Sequence, residues 1–128
     1  MRCTFDYAIV RVVPCLLRGE FLNAGVIVYS AEQAFLDARI GLDAERLRAL
    51  APAADSALVE FLSEHLAVIP RLCAGGATAG PIGALSQRER WHWLVAPRST
   101  MVQTSPAHCG LGENPASALD KLFRQLVL

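Results

Sequence analysis

Apolar positions recur along this chain at two periods, and the change from one to the other divides it into an extended first part and a helical later part. Residues 5–13 (FDYAIVRVV) and about 21–29 (FLNAGVIVY) are rich in β-branched and aromatic side chains and predict two strands. Residues 35–40 (FLDARI), closed by Gly41, predict a third. Pro14 ends the first strand, residues 15–20 with Gly19 form the first connection, and residues 30–34 make a short turn. Links this short join antiparallel neighbours, so the three strands are expected as a meander.

The helical period follows. Asp43 is placed as N-cap of a short helix to about Leu50, with Leu42 and Leu47 at the positions of a hydrophobic staple; Pro52 stops it. Asp55 or Ser56 caps a longer helix whose apolar stripe is Leu58, Phe61, Leu62, Leu66, Ile69, Leu72 and Cys73. Pro70 is expected to kink that helix or end it early, because it removes a backbone donor. Gly75, Gly76, Gly80, Pro81 and Gly83 mark a flexible loop over 75–85. In 86–94 (SQRERWHWL), Ser86 and Glu89 match a capping box while the two tryptophans alternate as in a strand; a short helix ending near Leu94 is the favoured reading. Residues 100–105 (TMVQTS), between Pro97 and Pro106, predict a fourth strand. Asn114 and Pro115 open a last helix with the face Leu119, Leu122, Phe123, Leu126 and Val127. Strands first and helices later predict a single α+β domain over 1–128: an N-terminal three-stranded antiparallel meander plus a fourth strand, with helices packed on one face.

Alternation sorts each strand into two faces. Ala8, Val10, Val12, Ala24, Val26, Val28, Leu36, Ala38 and Ile40 form a uniformly apolar set expected under the helices. Tyr7, Ile9, Arg11, Asn23, Gly25, Ile27, Tyr29, Phe35, Asp37 and Arg39 form a mixed set. If Tyr29 lies opposite Phe35 and Tyr7 opposite Tyr29, Arg11 and Arg39 both flank Gly25. Glycine within a strand often marks the close approach of a ligand or a second backbone. Two guanidinium forks over that gap could hold a carboxylate or phosphate. The plainer alternative pairs Arg11 with Asp37 or Glu20 and makes Gly25 a bulge.

Composition narrows the function classes. Hydrophobic residues are 53% of the 128, above the usual 45–50% or so, and charged residues only 19%. Twelve basic and twelve acidic residues cancel, which gives no electrostatic reason to expect nucleic acid or an anionic membrane. Arg88, Arg90, Trp91, Trp93 and Arg98 do interleave base with aromatic, a pattern that can stack single-stranded bases, although tryptophans in so small a domain more often belong to the core. Low charge with high apolar content favours self-association or a permanent partner. Cys3, Cys15, Cys73 and Cys109 have no C-x-x-C or zinc-finger spacing, and His65, His92 and His108 make no paired-ligand motif, so neither metal nor cofactor is expected. No signal-peptide pattern stands before Arg2, Asp6 and Arg11, and no apolar run is long enough to span a bilayer; a reducing cytoplasm is the expected compartment. Glu20 lacks an identifiable acid or base partner, so catalysis is the less expected class.

Three stretches together resemble a bacterial family known as domain of unknown function 3037. They are YAIVRVVPCLLRGEFLNAGVIVY at 7–29, RERWHWLVAPRSTMVQTSP at 88–106 and HCGLGENPASALDKLFRQLV at 108–127. The first is the most specific and supplies Arg11, Pro14, Arg18, Gly19, Glu20, Asn23 and Gly25. The resemblance carries no activity. Members encoded beside HipA-like kinases imply an accessory role. The expectation is therefore a non-catalytic protein-interaction or regulatory module, with a HipA-like kinase or a second copy as partner. The alternative is a small-molecule or phosphate-group binder, or an enzyme, using the sheet residues. Candidate ligand- or partner-binding residues are Arg11, Arg18, Glu20, Asn23, Gly25 and Arg39.

Overall fold

The structure is a computed structural model, and it describes residues 2–128. β1 (Cys3–Val12), β2 (Leu22–Ser30) and β3 (Phe35–Ile40) form the expected antiparallel meander, and β4 (Val102–Thr104) adds to the far side of β1. A fifth strand, β5 (His108–Gly112), was not predicted. It pairs with Cys3–Tyr7 of β1, while β4 pairs with Val10–Val12. Its sequence, HCGLG, carries a weak strand signal because two of its residues are glycines. Gly110 is required there, since the Phe5 ring occupies the space a β-carbon would need. Where β1 changes partner, buried Ser105 mends the ladder. Its Oγ accepts from the Ile9 amide at 2.9 Å and donates to the Pro106 carbonyl at 2.9 Å, and its own amide donates to the Ile9 carbonyl at 2.8 Å.

The predicted caps hold. Asp43 accepts from the Glu45 and Arg46 amides at the start of α1 (Ala44–Leu50). Asp55 accepts from the Leu58 amide and starts α2 (Ser56–Ala74). α2 runs through Pro70 to Ala74 instead of ending early. One missing hydrogen bond and a ring clash cost about 3 kcal/mol in a helix interior, and here buried Ile69, Leu72 and Cys73 keep the last turns on the core. The 75–85 segment is compact: a 3₁₀ turn at Ala77–Ala79 leads into the single-turn α3 (Gly80–Gly83), and the Gly76 amide donates to the Gly83 carbonyl at 2.9 Å. Ser86 and Glu89 form the capping box of α4 (Gln87–Leu94), and Asn114 with Pro115 opens α5 (Pro115–Leu126). Among the described residues no helix is long and apolar enough to cross a membrane.

The helices, expected on one face, divide between two. α1, α2 and α4 cover the face of Ala8, Val10, Val12, Ile27 and Tyr29, with the Trp91 ring stacked on Tyr29 at 5.5 Å. α5 covers the other, packing Leu119, Phe123 and Val127 on Phe5, Val26 and Val28. The face sorting is corrected accordingly. Val10 stands opposite Gly25 and Arg11 opposite Asn23, so Ala24 is an extra residue in β2. That bulge reverses the alternation beyond it. Ile27 and Tyr29 therefore join the large core, while Val26 and Val28 turn to α5. The expected register is corrected as well: Tyr29 lies opposite Leu36 and Gly25 opposite Ile40, because the β2–β3 turn spans four residues, with Ala34 at φ +50°.

Candidate functional site

The residues singled out from the sequence serve several separate purposes. Gly25 is a packing position. A β-carbon there would lie 2.5 Å from Ile40 Cδ1 and 2.8 Å from the Arg39 carbonyl oxygen, so the close approach is of β3 and not of a ligand. Arg39 faces Val26 and does not flank Gly25. Its guanidinium donates to Asp120 at 2.6 Å and lies 5.0 Å over the Phe123 ring, and Asp120 also pairs with Arg124. Asn23 donates from Nδ2 to the Leu126 carbonyl at 3.0 Å, and Arg46 donates to the Val127 carbonyl at 2.8 Å. Both satisfy carbonyls left open at the end of α5, where a cation also meets the negative end of the helix dipole. Asn23 and Arg39 thus fasten α5 to the sheet.

Arg18 and Glu20 pair with each other at 2.5 Å in the exposed β1–β2 connection. The hydrogen bond and the opposite charge raise the Arg18 pKa and lower that of Glu20. An exposed pair of this kind contributes little to stability. Arg11, on the α5 side of β1, lies 4.2 Å over the Phe21 ring and forms an ion pair with neither Glu20 nor Asp37. Asn23 and Gln103 are its cross-strand neighbours.

The basic–aromatic segment is likewise occupied within the fold. Arg90 is buried and donates to the Leu85 and Cys73 carbonyls, closing the C-terminal end of α2. Arg98 donates to the Trp93, Leu94 and Ala96 carbonyls at the end of α4 and lies 4.4 Å over the Trp93 ring. Among the described residues no three His, Cys, Asp or Glu side chains stand close enough to hold a metal ion. The Tyr7 and His108 rings meet at a tilt with centroids 5.3 Å apart, and exposed Cys109 donates to Asp6 at 3.2 Å. That hydrogen bond and the carboxylate charge raise the Cys109 pKa, the opposite of nucleophile activation.

An apolar concavity that the sequence does not predict lies elsewhere. An apolar groove of about 880 Å³ runs between α2, the end of α4 and β4. Leu62, Ile69 and Leu94 line it from the core, while Leu16, Phe61 and Val68 line it yet stay 52%, 49% and 42% exposed. Trp93 and His65 complete the wall, the His65 ring 4.4 Å from that of Phe61. Its far side is an open sheet edge. Met101 and Ser105 bond to Val13 and Ile9, so by the alternation of an antiparallel pair the amides of Val102 and Thr104 point away from β1. The sequence held one signal for the groove. Phe61 and Val68 stand seven apart, beside the core stripe of α2, and widen its apolar face beyond what one core can cover.

Comparison with known proteins places the chain without giving it a task. No curated protein and no solved structure matches it. A family model described as "Protein of unknown function (DUF3037)" matches residues 7–127, which is nearly the whole chain, and the protein belongs to that family.

Proposed function

We propose that this domain is a non-catalytic protein-interaction module, an accessory or regulatory subunit that docks its partner in the groove between α2, α4 and β4. The observation that carries this reading is one apolar concavity, walled by half-exposed Leu16, Phe61, Val68 and Trp93, beside the outward amides of Val102 and Thr104. Apolar side chains left in water along an open strand edge are what a partner segment needs: backbone hydrogen bonds from the edge, and a pocket for alternate side chains. A HipA-like kinase is the partner the family resemblance suggests, and a second copy is the simplest other occupant. The alternative of a binder or enzyme built on Arg11, Glu20, Asn23 and Arg39 has less support, because Glu20 is engaged by Arg18 and Arg39 by Asp120.

The test is affinity capture from the native organism with identification by mass spectrometry, run in parallel on the wild type and on Val68→Glu. Light scattering on both proteins reports self-association. One partner retained by the wild type and lost by Val68→Glu, or a dimer that the same change converts to monomer, is the expected result. A monomer that captures nothing, or a partner held equally by both proteins, overturns the reading.

A further inference from the structure

Arginines withdrawn from solvent need acceptors, because a guanidinium out of water with no counter-charge or hydrogen bond loses more than its burial returns. Three arginines among the described residues are not exposed: Arg11, Arg90 and Arg98. Arg90 and Arg98 are supplied with helix-end carbonyls. Arg11 alone is not. It has no ion pair and no hydrogen bond, and its Nε is buried without a partner. Its guanidinium nevertheless lies over the Phe21 ring, 4.2 Å from the centroid, in one row with Asn23 and Gln103 across β2, β1 and β4. The row lies just past the end of α5, whose Leu126 carbonyl is tied to Asn23, so the helix stops short of covering it.

From this geometry we propose that Arg11 is the anchor of a carboxylate-binding site on the α5 face of the sheet. With Nε closed off, the fork that remains is the Nη1/Nη2 pair. It presents two parallel N–H donors to a planar anion with two oxygens. The Phe21 ring supports the guanidinium from one side, and Asn23 and Gln103 flank it on the neighbouring strands, each side-chain amide already donating one hydrogen bond, to the Leu126 and Thr100 carbonyls. The site centres on Arg11 and Phe21, which do not line the groove, although Gln103 borders both, and it uses neither Glu20 nor Arg39.

The test follows the arginine Nε–Hε signals and the side-chain amide signals by NMR while sodium acetate is added at constant ionic strength. Sodium phosphate serves as a second titrant, and Arg11→Gln and Arg11→Lys as variants. Acetate is expected to shift the Arg11, Asn23 and Gln103 signals saturably, and more tightly than phosphate does. Loss of the charged hydrogen-bonded pair in Arg11→Gln should weaken binding about tenfold or more. Arg11→Lys should recover only part of it, because an ammonium keeps the charge and lacks the fork. Shifts that never saturate, that spread equally over the exposed arginines, or that survive in Arg11→Gln overturn the site. Phosphate binding as tight as acetate overturns its assignment to carboxylates. A folded Arg11→Gln spectrum keeps any loss of binding from being read as loss of structure.

Discussion

Arg90 occupies the space over Gly75: its Nη1 and Cζ lie 2.6 and 2.8 Å from where a β-carbon at 75 would stand. The two residues meet at the end of α2, where Gly75 turns the chain at φ +74° and Arg90 takes the Cys73 carbonyl. A buried cation and a residue without a side chain close the helix together. This relationship explains why a segment that reads as a basic–aromatic surface patch is part of the framework.

Gly75→Ala is therefore expected to destabilise the fold twice over, through the left-handed backbone and through the displaced guanidinium. The loss should be about 2 kcal/mol, read from urea denaturation. Arg90→Ala should cost a similar amount, about 1–3 kcal/mol, by leaving the Cys73 carbonyl of α2 and the Leu85 carbonyl without a donor. A double variant whose losses add in full would show that the two residues are not coupled.

At Gly25 a methyl group would press on Ile40 and on the β3 backbone itself. Backbone cannot step aside as a flexible side chain can, so Gly25→Ala should cost about 1–3 kcal/mol. The measurement is a thermal or urea midpoint. An unchanged midpoint would mean that β2 and β3 are not as close there as their pairing requires.

Ser105 joins the segment between β4 and β5 to β1 with two hydrogen bonds to Ile9, one through its hydroxyl, which also donates to the Pro106 carbonyl. Ser105→Ala leaves the Ile9 amide without an acceptor in a part-buried place. A loss of about 1–3 kcal/mol is expected, along with faster hydrogen exchange at Ile9 than at its β1 neighbours. Exchange at Ile9 that does not change would mean the hydroxyl is not its acceptor.

Thiol labelling tests the cysteine environments. Cys15 and Cys109 are exposed and Cys3 and Cys73 buried. The Asp6 carboxylate keeps the Cys109 proton on, so Asp6→Asn should speed alkylation of Cys109 at pH 8. Burial, with Asp37 adding to it, pushes the Cys73 thiol up to about 12. A raised folded-state pKa gives stability that is whole below the ordinary thiol value and is lost as pH climbs toward 12, because the unfolded chain releases that proton first. Stability should thus fall over alkaline pH, and the fall should be shallower in Cys73→Val. Equal slopes in the two proteins would remove Cys73 as its source.

Local chemistry made much of this architecture legible. Asp43, Asp55, Ser86 and Asn114 each cap the helix assigned to them, since an N-cap bond joins groups two or three residues apart and needs nothing from the rest of the fold. β5 is not legible locally, because two of its five residues are glycines and its place is set across the sheet, by pairing with β1 and by Phe5 covering Gly110. The run AGVIVY in β2 carries a sign of its burial in the sequence itself. An unbroken apolar stretch marks a strand buried on both sides, and β2 is so buried.

The three-stranded meander, the fourth strand and the starts of α1, α2, α4 and α5 thus follow from the chain alone, because they rest on interactions between near neighbours in sequence, whereas β5, α3 and the run of α2 through Pro70 do not. Tertiary structure decided which side each strand residue faces, that α5 lies opposite the other helices, and that Arg39 goes to Asp120 while Arg11 is left with Phe21. The reason is the bulge at Ala24. One extra residue reverses every side chain beyond it, and its place is chosen by the pairing of β2 with β1 and by the two helical layers competing for its apolar residues.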